Sequence, residues 1–203
     1  ESVRPETSLI SVMWANNEVG SIQPVRNIVK PPGVLLHSDG AQAVGKTPIR
    51  LDGVDFFTLS AHKLHGPKGI GALFLREGTR IRPFVVGGGQ EFEKRGGTEN
   101  VALIAGFAEA VALAIEEEEA NRKTMENART ELASAIRALP DIHVLGSDRD
   151  RLPNILNVCI EGVDAEALVL ALDSEGVLVS SGSACASLST EPSHVLLAMG
   201  IDM

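Results

Sequence analysis

The stretch SAHKLHGPKG, Ser60–Gly69, decides the fold of this chain, because it places one lysine, Lys63, between the end of a predicted strand and a Gly-Pro turn. The segment DFFTLSA, residues 55–61, is mostly apolar and predicts a strand, and IGALFLR, residues 70–76, predicts another. The Gly-Pro pair between them predicts a turn. Lys63 is therefore expected at the carboxyl end of a strand, which is where open α/β sheets bind their ligands.

Lys63 is a candidate Schiff-base residue. A lysine becomes a good nucleophile when it is desolvated or placed beside other cations, which suits it to capturing an aldehyde cofactor. A lysine near a turn is more often an ordinary solvated side chain, and the same holds for Lys68. The residues around Lys63 must decide between these interpretations.

Two more predicted strands end in polar residues upstream of Lys63. The strand in VLLHSDGAQAVGK ends at Asp39 and is followed by Gln42, and the strand in LISVMWANNEVG runs into Asn17. A carboxylate at a strand end could hold the pyridine nitrogen of pyridoxal phosphate protonated, which makes the ring an electron sink. Taken singly, Asp39 is typical of a helix N-cap, Asn17 of a turn and Gln42 of a surface amide. Taken together, these strand ends favour one site.

Five motifs follow one another along the chain: ANNEVG, HSDGAQAVGK, SAHKLHGPKGIGAL, RGGTEN and SSGSACASLSTEPSHVL. In this order they resemble the cysteine desulfurases of the nitrogen-fixation and iron–sulfur-assembly group, which are class V, fold type I pyridoxal-phosphate enzymes. The similarity runs through nearly the whole chain. It implies an α/β fold that combines part of the large-domain sheet with a smaller C-terminal α+β domain.

The resemblance also implies a role for each matching residue. Lys63 would form the Schiff base with pyridoxal 5'-phosphate, and Asp39 would pair with the pyridine nitrogen. Asn17 and Gln42 would bind the ring oxygen, and Ser60 and His62 would bind the phosphate. Thr98, in RGGT, would reach a phosphate of the partner subunit in a homodimer. Cys185 would accept the sulfur, and it could transiently ligate an iron–sulfur cluster shared with a scaffold protein.

The implied activity converts L-cysteine to L-alanine and passes the sulfur to Cys185 as a persulfide, for iron–sulfur cluster assembly or another sulfur transfer. Lys63 would serve as base and acid. Selenocysteine lyase, or another class V enzyme that does not need the loop cysteine, is the alternative among enzymes. A second alternative is an incomplete, inactive fragment that acts only as a binding partner.

The two cysteines differ in their surroundings. Cys185 lies in SSGSACASLST, residues 180–190, whose small polar residues predict an exposed loop. Cys159 lies in the alternating pattern NILNVCIE, where a cysteine behaves as a small hydrophobe, so we expect a structural role for it. A disulfide between the two is the competing interpretation, which the low cysteine count and the lack of a secretory segment disfavour.

The composition indicates a soluble globular protein. Hydrophobic residues make up 44% of the chain, which is enough for a core, and no apolar run is long enough to cross a bilayer. The formal net charge of -9 argues against a nucleic-acid surface. Nothing resembles a signal peptide, so a reducing cytoplasm is the expected compartment.

The chain is expected to be the C-terminal part of a longer protein, because it opens at Glu1 almost directly on a strand and is shorter than the family members it resembles. Residues 1–97 would belong to the large domain, 98–120 to a linking helix and 121–203 to the small domain that carries the cysteine loop. The family's ring-stacking histidine and substrate-binding arginine find no match in the 203 residues.

Three further elements are predicted from local patterns. Apolar residues at helical spacing after Thr98 predict two helices or one bent helix. Ala165 to Glu175 predicts a helix capped by Asp164 and closed by a glycine, and Val177 to Ser181 predicts a strand. The pair Pro31-Pro32 stands where the family has a fuller helix, and paired prolines stop helices. Because of this departure, the sequence does not predict the structure of the crossover that leads to Asp39.

Overall fold

The computed structural model describes residues 2–182 and 193–201. The predicted cysteine loop, with Cys185, therefore lies outside the described residues. The chain divides into two compact units. The first runs up to Ala15 and continues as Ile22–Thr124, and the second combines Asn16–Ser21 with the residues from Met125 onward. The three-part division expected from the sequence, at residues 97 and 120, stays a prediction.

The first unit is built on a four-stranded sheet. Its strands are β1 (Leu9–Met13), β2 (Leu35–Asp39), β3 (Phe56–Ser60) and β4 (Gly71–Leu75), and they lie in the order β1-β2-β3-β4. The first three strands are parallel, and β4 is antiparallel to β3. All four lie where the apolar runs predicted strands, and the predicted α/β fold with a mainly parallel sheet is confirmed.

The crossover from β1 to β2 contains a single 3₁₀ turn, Val25–Asn27, and its residues form no α-helix. The paired prolines fit this result, since they lie between the turn and β2. The strands on either side of this crossover are paired, with Met13 opposite Asp39 across β1 and β2. The amide of Trp14 extends this pairing by donating to the carbonyl of Asp39 at 2.7 Å.

The core of the first unit lies under one face of the sheet. Leu36 and Phe57 are buried in β2 and β3, and the rings of Trp14 and Phe57 meet edge to face with centroids 5.9 Å apart. Edge-to-face packing of this kind favours aromatic contacts beyond their buried area. The core therefore fixes the strands whose carboxyl ends carry the candidate site.

Helices follow the sheet in the sequence. A short turn labelled α1 spans Gln90–Glu93, and two long helices follow it as α2 (Val101–Glu116) and α3 (Glu118–Arg137). This confirms the two helices predicted after Thr98. The cap of α2 is Asn100, whose side chain accepts a hydrogen bond from the amide of Leu103 at 3.2 Å. No helix in the described part of the chain is both long and apolar enough to cross a membrane.

The second unit contains a two-stranded antiparallel sheet and two short helices. The strands are β5 (Ile142–Leu145) and β6 (Asn157–Ile160), and the helices are α4 (Ala165–Ser174) and α5 (His194–Ala198). Cys159 is buried beside Val19, Leu145 and Leu196, as expected for a small hydrophobic residue. The segment Asn16–Ser21 belongs to this unit, although β1 directly precedes it in the sequence.

The helix predicted from Ala165 is confirmed as α4, with Asp164 as its N-cap. The Asp164 carboxylate accepts a hydrogen bond from the amide of Ala167 at 2.8 Å, and Gly176 closes the helix with a φ of 79°. The strand predicted at Val177 to Ser181 is wrong. These residues pair with no strand among those described, and Leu178 is 83% exposed. An apolar run needs a neighbouring strand to complete its backbone hydrogen bonds, and the described part of this unit provides none there.

Candidate active site

The carboxyl ends of the parallel strands lie at one edge of the sheet. Asp39, the last residue of β2, pairs with Thr58 of β3, two residues before Ser60. The amide of Gly40 continues the pairing by donating to the carbonyl of Thr58 at 2.8 Å. This register brings the Asp39 carboxylate to the same edge as the segment that carries Lys63.

A 3₁₀ turn, Ala61–Leu64, presents Lys63 directly after β3. Its two ends, Ala61 and Leu64, are buried, whereas His62 and Lys63 are exposed. The turn ends at His65, which adopts a left-handed conformation with a φ of 61°. Burial of the turn's ends anchors the backbone and leaves the lysine and histidine side chains available to a ligand.

Helix α2 packs closely against the residues that follow this turn. A Cβ atom on Gly66 would lie 3.0 Å from the Cβ of Ala110, and a Cβ on Gly106 would lie 2.8 Å from the Cγ of Pro67. Both distances are shorter than ordinary Cβ contacts, so a side chain at either glycine would require its neighbour to shift. The Gly-Pro pair of the motif therefore lets α2 hold the Lys63 turn in place.

Asp39 organises the turn that follows β2. One of its carboxylate oxygens accepts a hydrogen bond from the amide of Ala41 at 2.8 Å, while the side chain remains exposed. Gly40 is required here, because a Cβ would lie 1.9 Å from the Cζ of Phe57. Gln42 is half-buried in the same turn. Asp39 therefore has the capping role that its residue type alone would suggest. Its exposed carboxylate also remains available to a ligand at the sheet edge.

The structure adds a row of polar side chains that the sequence did not predict. The ring of His37 lies between two hydroxyls, with Nδ1 2.7 Å from the Ser11 Oγ and Nε2 3.2 Å from the Thr58 Oγ1. Alternate residues of a strand share a face, so His37 and Asp39 lie on the same face of β2. The row links three strands beside the carboxylate, and the alternation of polar residues in these strands was its only sequence signal.

A second lysine also approaches the Lys63 turn. The Lys46 ammonium donates to the Lys63 carbonyl oxygen over 3.4 Å. Burial lowers the pKa of Lys46 below its ordinary value, and the positive charge of Lys63 lowers it further. The sequence analysis quoted Lys46 within a motif but did not predict its contact with Lys63. The two residues lie 17 positions apart, so only the folded chain brings them together.

The roles expected of three further residues stay predictions. Asn17 belongs to the turn Asn16–Ser21, where the Asn16 Oδ1 accepts hydrogen bonds from the amides of Glu18 and Val19 at 2.8 and 2.9 Å. Thr98 is exposed before α2, and Asn100 is the N-cap of that helix. Cys185 lies outside the described residues.

The groups at the sheet edge match the chemistry of an aldehyde cofactor that carries a pyridine ring and a phosphate. Lys63 offers an exposed amine, Asp39 a carboxylate and Gln42 an amide. Ser60 precedes the 3₁₀ turn, and its hydroxyl makes no capping hydrogen bond. Among residues 2–182 and 193–201, no three His, Cys, Asp or Glu side chains are placed to hold a metal ion. The donor set therefore fits pyridoxal phosphate.

Proteins of known description are similar to this chain in sequence and fold. The curated cysteine desulfurase IscS of Dictyoglomus turgidum is 44% identical over 207 residues, covering 99% of this chain and 52% of that protein. A solved NifS-like protein matches with a TM-score of 0.88 and 40% identity, over 99% of this chain and 54% of its own. A solved NifS-like protein from Rickettsia africae matches with a TM-score of 0.87 and 35% identity. The match covers 97% of this chain and 53% of that protein.

The chain spans about half the length of the curated relatives it matches. The family model for class-V aminotransferases matches residues 1–201, which is nearly the whole chain. The solved relatives confirm the predicted fold type I, the fold of a family that generally uses pyridoxal phosphate. With its parallel strand ends and its turn-borne lysine, this chain belongs to the class-V aminotransferase family.

Proposed function

We propose that the protein is a pyridoxal-phosphate-dependent cysteine desulfurase, which converts L-cysteine to L-alanine and passes the sulfur to Cys185. One observation carries the proposal: the parallel register of β2 and β3 places Asp39 and the Lys63 turn at the same sheet edge. The similarity to relatives named cysteine desulfurases supports the choice of substrate.

Each residue at the edge has a proposed task. Bound pyridoxal phosphate supplies an electron sink that makes cleavage of the carbon–sulfur bond feasible. The Lys63 amine holds the cofactor, then moves protons as base and acid, a contribution of roughly a hundredfold to ten-thousandfold in rate. Asp39 keeps the ring nitrogen protonated. Ser60 and His62 bind the phosphate, and Gln42 binds the ring oxygen.

Cys185 accepts the sulfur as a thiolate, since the thiolate rather than the thiol is the nucleophile. It attacks the sulfur of the bound cysteine, so that a sulfur–sulfur bond forms as the carbon–sulfur bond breaks. The electron pair of the broken bond stays with the carbon skeleton, and proton transfer from Lys63 completes alanine. The persulfide on Cys185 then passes its outer sulfur to an acceptor. The role of Asn17 at the ring oxygen stays a prediction from the resemblance.

The proposed partners are a second copy of the protein and a sulfur acceptor, such as an iron–sulfur scaffold with which Cys185 could share a cluster. Large apolar side chains near Thr98 support the homodimer, because Phe84 is 98% exposed and Phe92 is 87% exposed. Exposed apolar residues in one segment mark surfaces that bind protein. Thr98 would contact the cofactor phosphate of the partner subunit. A reducing cytoplasm suits this thiolate chemistry.

Replacement of Cys185 tests the reaction, with the buried Cys159 as the matched control. Cys185→Ala should bind pyridoxal phosphate as the wild type does but release no alanine or sulfide from L-cysteine. Cys159→Ala should keep the activity. Both products are measured, alanine by amino-acid analysis and sulfide by a colorimetric assay. Unchanged release by Cys185→Ala would contradict the persulfide step and favour a lyase of the selenocysteine type. A wild-type chain that binds no pyridoxal phosphate would instead favour the inactive fragment.

A further inference from the structure

Lys46 lies at the end of the turn that begins with Asp39. Hydrogen bonds from Ala43 N to Gly40 O at 2.9 Å and from Lys46 N to Ala43 O at 3.0 Å define this turn. The preceding residue, Gly45, has a φ of 71°, which a residue with a side chain rarely adopts. The backbone of Lys46 is thus fixed relative to the carboxylate of Asp39.

Gly45 also brings this turn close to the Lys63 turn and to α2. A Cβ on Gly45 would lie 2.9 Å from the Cβ of Ala114 in α2 and 3.5 Å from the Cδ2 of Leu64. Leu64 is the residue directly after Lys63, and it is buried. The close packing places the Lys46 side chain beside the backbone of the 3₁₀ turn.

The ammonium of Lys46 donates to the backbone carbonyl of Lys63 over 3.4 Å. Carbonyls in the last turn of a helix have no hydrogen-bond donor inside the helix, so they need an outside donor. The carbonyl of Lys63, near the end of the 3₁₀ turn, receives the ammonium of Lys46. A cation at the carbonyl end of a helical turn is also electrostatically favourable.

Lys46 makes this contact without an acidic partner. In the described ranges, 2–182 and 193–201, no carboxylate lies within ion-pair distance of its ammonium. The side chain is half-buried, and burial lowers its pKa, as does the charge of Lys63. The Lys63 carbonyl is therefore the acceptor that the half-buried ammonium contacts among the described residues.

We propose that Lys46 is a positioning residue for Lys63: it holds the backbone carbonyl of Lys63 and so fixes the turn that presents the amine to pyridoxal phosphate. The proposal rests on the proposed role of Lys63. Lys46 itself does not touch the reacting atoms. It links the turn that begins at Asp39 to the turn that carries the amine.

Capture of pyridoxal phosphate tests this role in the full chain. Lys46→Met removes the donor at nearly constant length, Lys46→Gln keeps a donor, and Lys68→Met, an exposed lysine, is the control. Capture is followed by absorbance, then by borohydride reduction and peptide mapping. Lys46→Met should weaken capture at Lys63 about tenfold, the cost of one charge-assisted hydrogen bond. Lys46→Gln should recover most of it, and Lys68→Met should behave as the wild type.

Unchanged capture by Lys46→Met would overturn the proposal, as would a Lys46→Gln variant that is impaired as much as Lys46→Met. A wild-type chain that captures no cofactor at Lys63 would refute the proposed function instead. The two failures are therefore distinguishable.

A measurement without cofactor tests the proximity of the two amines even if Lys46→Met does not fold. In the cofactor-free chain labelled with 13C-lysine, NMR titration follows the pKa of Lys46. Burial and the charge of Lys63 lower this pKa, so Lys63→Met, which removes the neighbouring positive charge, should raise it. An unchanged Lys46 titration would show that the two ammonium groups are not neighbours and would overturn the proposal.

Discussion

Asp39 and Thr58 are direct neighbours across β2 and β3, and Thr58 lies two residues before Ser60, which directly precedes the Lys63 turn. The parallel register of the two strands sets this relationship. The two candidate cofactor contacts therefore keep their spacing as long as the sheet is intact. Changes that disturb the sheet edge should disturb both contacts together.

Gly40→Ala tests how tightly the sheet edge is built. A Cβ at this position would lie 1.9 Å from the Cζ of Phe57, a buried ring in the core. Overpacking of this kind should lower the free energy of unfolding by about 1–3 kcal/mol. Urea unfolding measures the change. Gly89→Ala is the control, because a Cβ there meets nothing within 4 Å. Equal stability of the two variants would contradict the packing described at this edge.

Ser38→Ala should stabilise the protein. The hydroxyl of Ser38 is fully buried in β2 and has no hydrogen-bond partner within residues 2–182 and 193–201. A buried hydroxyl without a partner costs about 1–3 kcal/mol, so its removal should raise the free energy of unfolding by about 1 kcal/mol. Ser11→Ala serves as the contrast, since it removes the hydrogen bond to His37 and should lower the stability by about 1 kcal/mol. A loss of stability in Ser38→Ala would indicate a partner for this hydroxyl.

Asp55 should make the stability depend on pH in acid. Burial alone would raise the pKa of this carboxyl, but the hydrogen bonds from Lys30 and from the Leu36 amide, with the charges of Lys30 and Arg76, hold it below its ordinary value. A lowered pKa in the folded state gives stability above the unfolded pKa of about 3.9, and this stability is lost as the pH falls through the folded value.

Asp55→Asn should remove this part of the pH dependence. Urea unfolding between neutral pH and strong acid should show a shallower loss of stability on acidification than in the wild type, and a loss of about 2 kcal/mol at pH 7, because Lys30 is left partly buried without its partner. Asp52→Asn is the control, since Asp52 faces Arg26 at 3.7 Å on the surface. Parallel stability curves for the wild type and Asp55→Asn would contradict the assignment.

The sequence predicted those parts of the fold that depend on local patterns. Apolar runs bounded by turn residues located β1 to β4, and Asp164 located the start of α4. The strand at Val177 to Ser181 was wrong because a strand requires a partner that its own residues do not reveal. The helical spacing of apolar residues predicted α2, but it did not predict which side of the helix is buried. Phe107 and Ala110 are buried, whereas Val101 is 71% exposed, since this helix is apolar on more than one side.

The sequence predicted the site residues that lie at or just after the ends of strands. Asp39 ends β2 and Lys63 lies in the turn after β3, so their meeting at one edge follows from parallel pairing. The contacts of His37 and Lys46 could not be predicted, because each depends on strands or turns that only folding brings together. Side chains that support a site through such contacts have no sequence motif that identifies this role, so the structure is needed to find them.

The attachment point of the cofactor tests the central claim most directly. The purified chain is mixed with pyridoxal phosphate, reduced with borohydride and mapped by peptide mass spectrometry. Lys46 and Lys68, on either side of Lys63 in the sequence, serve as internal controls. We predict a single phosphopyridoxyl label on Lys63. A label on another lysine, or no label at all, would contradict the account of this site.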